Sequence, residues 1–286
     1  LFINIIIIFF LFFSFFIFDV SLRMYSNQYL GFYKWIHYAP NLFTFSWIFL
    51  IIGFLYLLPK KIRMIVYGVL SIISNLIVYA EYLHFSVLKR FFTFSDILLA
   101  KEGSEYFLYA ISKTSIKIVF VILTSILITA ITIWIMNRTK EINKNRYYYL
   151  LLIIGTIILV SGTRILANYK LGKKADPLTW EASYKPKNIY IDFNNQNKSL
   201  EVSGIYELLI RSTYLYVKDN LTTNKGKLRE EIDEVINRTT SLQEEQKVTN
   251  QYTGLLEGKN VIYVLMESID SWLVMEEVMP TLYHLQ

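Results

Sequence analysis

The residues with the clearest chemical potential lie near the C-terminal end of the sequence, in Gly258-Lys259-Asn260-Val261-Ile262-Tyr263-Val264-Leu265-Met266-Glu267-Ser268-Ile269-Asp270-Ser271-Trp272. The run Asn260 to Met266 is apolar, β-branched and aromatic, as in a parallel strand covered on both faces, and the polar cluster after it opens a loop or helix. In open α/β sheets ligands gather beyond the carboxyl ends of strands, so Glu267 is placed to bind a metal ion or an electrophile. Hard oxygen donors suit Mg²⁺ or Mn²⁺. The plainer alternative is a helix-start carboxylate favoured by the backbone dipole, and Ser268 and Asp270 read equally well as caps. The chain has no cysteine, which excludes disulfides, thiolate zinc sites and Cys nucleophiles together.

The sequence that must position this segment is of two kinds. The chain is 54% hydrophobic and 16% aromatic, but the long apolar runs fall before Leu166, while Lys170 to Lys259 is rich in Lys, Glu, Asp, Asn and Thr. Such a shift marks a domain boundary. A bilayer core needs about 20 apolar helical residues. Five segments qualify, at about 1–18, 42–58, 62–82, 116–136 and 147–166. Pro59 breaks the second where Lys60 and Lys61 begin a tight turn, so the second and third form a hairpin. Leu1 opens directly on an apolar run without a basic leader, which predicts a first spanning helix in a truncated start rather than a cleaved signal peptide.

Lys60, Lys61 and Arg63 in one short turn, and Arg138, Lys140, Lys144 and Arg146 in another, read as cytoplasmic loops. Five helices then place the C-terminal region outside. The net charge of +6 therefore reads as membrane anchoring; no basic face with interleaved aromatics suggests nucleic acid. The longer loop Leu83 to Ser115 alternates aromatic and charged residues, including His84, Phe85, Phe91 and Phe92. That suits an amphipathic segment at the lipid headgroups, with Lys89 and Arg90 either as headgroup contacts or as ordinary interfacial anchors.

After Leu166 a connector with Gly172, Pro177 and Pro186 leads to a helix over 203–218 and a second over 227–246, whose Leu228, Ile232, Val235 and Ile236 share one face. The layout divides into a membrane domain at 1–168, a linker at 169–257 and a new domain opening at 258–286.

The stretch GKNVIYVLMESIDSW followed by MPTLYHL resembles the lipoteichoic acid synthases and related phosphoglycerol transferases, membrane members of the sulfatase and alkaline phosphatase superfamily. It looks like their first catalytic strand, a metal-binding Glu at Glu267, and a Thr-Pro-x-Leu-like segment, although Met279-Pro280-Thr281-Leu282 does not reproduce the Thr-Pro pair. The specific motif spans only about fifteen residues, but five helices, a helical connector and an extracellular α/β sulfatase-like domain match the family's layout.

The resemblance implies a Thr nucleophile activated by Mn²⁺ or Mg²⁺, with phosphatidylglycerol as donor and a cell-envelope polymer as acceptor. The nucleophile and the remaining Asp and His ligands are expected downstream of Gln286, so the segment alone is expected to be inactive; Thr281 and His284 are not nominated. A phosphoethanolamine transferase has the same layout, but its Gly-Glu-Ser-Ala-Arg strand end and disulfides are not matched here. A transporter is poorly supported, since of the polar residues Ser71, Ser74, Asn75 and Glu81 in the third apolar segment only Glu81 is charged and it lies near the outer end, while a non-catalytic membrane scaffold stays open.

Overall fold

The computed structural model describes residues 2–30, 38–99, 106–140, 146–176, 179–193, 195–222, 225–245, 251–260 and 274–285. Its regular elements among the described residues are helical. They are α1 (Phe2–Leu30), α2 (Tyr38–Leu57), α3 (Lys60–Leu88), α4 (Phe107–Ser112), α5 (Ile116–Arg138), α6 (Arg146–Lys170), α7 (Pro186–Asp192), α8 (Gln196–Thr222), α9 (Lys225–Glu245) and α10 (Pro280–Tyr283). Short 3₁₀ turns cover Phe94–Leu99 and Trp180–Ser183. The chain divides into two compact units, Leu1–Thr223 and Asn224–Gln286.

Five helices, α1, α2, α3, α5 and α6, are long and apolar enough to cross a bilayer, as expected of a multi-pass membrane protein. Helix α1 packs on α2, α3 and α5, and α6 packs chiefly on α2. One core joins Leu11, Phe15, Ile48, Leu55, Tyr67 and Met136; another joins Phe18, Leu22, Phe85, Phe91, Leu200 and Leu208. Gly53 is needed where α6 crosses α2, because a Cβ there would meet the Thr156 side chain. Within the bundle, hydroxyls of Ser14, Tyr67, Ser71 and Thr129 bond across α1, α3 and α5. These bonds satisfy groups that hydrocarbon cannot.

Helix α1 runs well past Phe18, where the apolar run stops. Asp19 and Arg23 lie one turn apart and neutralise each other, so the helix continues through both with neither exposed. Helices α7 and α8 pack at the end of the bundle that holds the C-termini of α1 and α3 and the N-termini of α2 and α5. Gly204 (φ 76°, ψ 170°) interrupts α8 there.

The second unit contains α9, a run of turns over 251–258 and the single-turn α10. The apolar residues Ile232, Val235 and Ile236 of α9 are exposed in it.

Candidate functional site

Glu267, Ser268 and Asp270, and the expected strand from Val261 onwards, fall in 261–273, outside the described residues. Their described flanks are a turn at Gly258 (φ 72°) on one side and α10 on the other. Thr281 is an exposed residue of α10, and His284 faces Glu276 at 3.6 Å on the surface of the unit. Among the described residues no group of three or more His, Asp or Glu side chains could hold a metal ion.

The chemistry that the structure does bring together sits where α8 meets the bundle. The break at Gly204 leaves a fresh helix N-terminus inside the protein, and its first amide, Ile205 N–H, donates to Asp19 Oδ1 at 2.7 Å. The other oxygen of Asp19 accepts from Arg23 Nε and Nη2 at 3.0 and 2.8 Å. Arg23 also donates to Asn41 of α2. Gly204 is fixed both by its positive φ and by space, because a Cβ would lie 2.5 Å from Thr44 Oγ1 and 2.7 Å from Asp19 Oδ1. Glu201, in the turn before the break, accepts from Ser26 at 3.2 Å. Burial pushes its carboxyl up to about 7, against the pull of Arg23 and the Ser26 hydrogen bond, with Asp19 adding to the rise. Tyr206 is partly buried, donates to Phe15 O at 2.7 Å, and has its phenol pushed well up by burial.

A second centre is Glu207, which accepts from Trp47 Nε1 and Arg164 Nη2, both at 2.7 Å, and from Tyr190 Oη at 2.9 Å. The Arg164 guanidinium also stacks 4.8 Å over the Trp47 ring. Burial, followed by the charge and hydrogen bond of Glu207, raises the Tyr190 phenol. Beside this centre lies a cavity of about 360 Å³ lined by Trp47, Arg164, Glu207, Arg211 and Tyr214 among others. Arg211 lies over Tyr190 and donates to Ile191 O.

The third centre contains the two nominated headgroup residues. Arg90 forms two hydrogen bonds with Asp96, at 2.7 and 3.2 Å, and Asp96 also accepts from Thr93 N–H and Oγ1. Burial would raise the Asp96 carboxyl, but the bonds from Arg90 and Thr93 and the Arg90 charge hold it below its ordinary value. Arg90 thus folds the turn after α3. Lys89 adopts a left-handed conformation (φ 55°) at the C-cap of α3, with its carbonyl held by Asn197 Nδ2 of α8 at 2.8 Å. Asn197 Oδ1 accepts from Phe91 N–H, and Glu81 accepts from Phe92 N–H at 2.9 Å.

Sequence reasoning overlooks Asp19, Arg23, Arg164, Glu201 and Glu207. The available signals were ionisable residues in or bordering apolar runs, Asp19 and Arg23 at helical spacing and Arg164 within the fifth run. These networks use each carboxylate as an acceptor that fixes helices, and the hydroxyls that donate to them are those of Ser26 to Glu201, Thr93 to Asp96 and Tyr190 to Glu207. Comparison of the chain with protein-family models, with curated proteins and with solved structures finds no match in any of the three.

Proposed function

We propose that this protein is a membrane-bound phosphoglycerol transferase of the lipoteichoic acid synthase type. It takes glycerol phosphate from phosphatidylglycerol and passes it to a cell-envelope glycopolymer or glycolipid, in a bacterial cell membrane with the C-terminal region outside. The observation that carries this reading is the segment Gly258 to Trp272, in which an apolar, strand-like run ends in Glu267, in a chain that also has five apolar helices and a helical connector. In this reading Glu267 contributes a carboxylate oxygen to a divalent cation. A hard donor in a cysteine-free chain suits Mn²⁺ or Mg²⁺. When bound, such a cation supplies neutralisation of the phosphate and a lower pKa for a neighbouring hydroxyl. In this reading the hydroxyl is that of a Thr nucleophile, as the resemblance implies.

The test is release of diacylglycerol from a fluorescent phosphatidylglycerol by the purified full-length protein, with and without Mn²⁺, beside Glu267→Ala. Metal-dependent release that falls by about 10²-fold or more in the variant is expected, from loss of charge stabilisation at the transferring phosphoryl group. A lipid left intact with every divalent metal, or a variant as active as the parent, overturns the assignment.

A further inference from the structure

We infer that the cavity between α2, α6 and α8 binds an anionic lipid, with the oxyanion on Arg211 and Arg164 and the alkyl chain along α2 and α6. The inference does not depend on Glu267 or on the proposed reaction. The cavity measures about 360 Å³, and three helices build its walls: α2 supplies Trp47 and Leu50, α6 supplies Val160 and Arg164, and α8 supplies Ile210 and Arg211. Charged and apolar side chains share one space, as an amphiphile requires.

Charge decides what the polar end accepts. Glu207, the carboxylate of this lining, receives Trp47, Arg164 and Tyr190 on its two oxygens, and its charge is matched by Arg164. Arg211 stands one turn further along α8 and is held differently. Its Nη2 donates to Ile191 O at 2.8 Å, and its guanidinium lies 4.4 Å over the Tyr190 ring. A carbonyl and a π face orient a cation without neutralising it. Among the described residues Arg211 forms no ion pair, and its Nε is buried without a hydrogen-bond partner. Two guanidinium groups against one carboxylate therefore leave the lining one positive charge to be met. The groups are oriented before any ligand arrives: Tyr190 packs on Phe43 of α2 at 5.0 Å and fixes the platform under Arg211, while Arg164 lies 4.8 Å over the Trp47 ring.

Surroundings and size indicate that the anion carries an alkyl chain. Helices α2 and α6 are two of the five that are long and apolar enough to cross a bilayer, and Leu50 and Ile210 in the lining are exposed. A cation beside such faces is costly until an anion joins it, and an anion reaching it along them is part of a lipid. The volume lies at the lower end of the roughly 300–1,000 Å³ of ligand pockets, which accommodates a headgroup and its first methylenes while the remaining chain stays in the bilayer. The shared chemistry is an oxyanion on an alkyl chain, either the phosphodiester of a phospholipid or the carboxylate of a fatty acid.

Native mass spectrometry of the detergent-purified protein separates those sources with three probes: phosphatidylglycerol, oleate, and diacylglycerol, which has acyl chains without the oxyanion. Arg211→Gln is expected to weaken retention of the anionic probe about tenfold or more and to leave diacylglycerol unchanged. Arg211→Lys, which keeps the charge, should retain most of the binding. Lys173→Gln makes the same charge change at an exposed position beyond α6 and should bind like the parent. Leu50→Trp fills the cavity and leaves the bonds of Arg211 in place, so it should exclude the anionic probe while melting within a few degrees of the parent. This pattern with phosphatidylglycerol establishes a phospholipid site, and the same pattern with oleate alone establishes a site for a carboxylate amphiphile. Equal retention of both anionic probes by parent and Arg211→Gln, an equal loss in Lys173→Gln, or unimpaired binding by Leu50→Trp overturns the site.

Discussion

The two ends of the helical bundle handle charge in opposite ways. At the Pro59 end the organised groups are cations on helix carbonyls. Arg63 donates to Leu55 O and Leu58 O at 3.0 Å and lies 4.3 Å over the Tyr56 ring, closing the C-terminus of α2. Lys60 donates to Asn137 O and Thr139 O, closing that of α5. These contacts complement helix dipoles and leave the turn short. At the other end, carboxylates of Asp19, Glu201 and Glu207 receive a backbone amide, a hydroxyl and a guanidinium group from elements distant in sequence, and those of Glu81 and Asp96 hold the turn after α3. One end anchors helices that already exist, and the other creates a tertiary arrangement that local sequence would not form.

The largest expected effect follows from removing Asp19, which closes the α8 break and neutralises Arg23. Asp19→Ala leaves a buried guanidinium unpaired and the Ile205 amide uncapped, and should cost about 3–5 kcal/mol in thermal or denaturant unfolding of the detergent-solubilised protein. A loss under about 1 kcal/mol would mean that water reaches this junction and that the carboxylate end is no more organised than the Pro59 end.

A smaller effect is expected at the Pro59 end. Arg63→Ala removes two bonds to terminal carbonyls and a stacked guanidinium, but those carbonyls lie beside a short turn where water can replace the donor. A cost of about 1–2 kcal/mol is expected, with Lys61→Gln within about 0.5 kcal/mol of the parent. If Arg63→Ala were as damaging as Asp19→Ala, the contrast between the ends would collapse. Measuring both variants in the same detergent makes the comparison direct.

How far these features can be read from sequence depends on whether their causes are local. The five spans are legible because apolar runs of that length have few other solutions. Helix α9, expected at 227–246 and found at Lys225–Glu245, is legible from its one apolar face. The extension of α1 to Leu30 is not, since Asp19 and Arg23 taken singly resemble the end of a span. The helix expected at 203–218 begins earlier, at Gln196, because Gly204 is accommodated by a cap that arrives from α1. Lys89 is recognisable as an interfacial cation, whereas its place beside Lys113 and Lys117 at one cavity depends on how α3 meets the start of α5. Arg90 beside it has the same sequence signal and a different role, decided by Asp96. Glu267 rests on its sequence pattern alone.

The smallest expected effect is also the most specific to the carboxylate end, because it concerns a proton. Glu201 in the fold holds its proton up to about pH 7, whereas an unfolded Glu releases it near 4.5. The folded state therefore binds the proton more tightly between those values, and stability should fall as pH rises from about 4.5 to about 7 and level off above. The difference sets a ceiling of about 3 kcal/mol, reduced by any water that follows the charge. Glu201→Gln keeps the shape without the charge. It should melt with the parent at about pH 4, melt a few degrees higher at about pH 8, and flatten the slope between them. Asp96 has the opposite sign, with its carboxyl held low, so its contribution is present across this window and is lost only as pH falls through the ordinary carboxylate range. Arg63→Ala should retain the parental slope, since no titrating carboxylate is among its bonded partners. A slope that persisted in Glu201→Gln but vanished in Arg63→Ala would place the titrating group at the Pro59 end and reverse the assignment of the two ends.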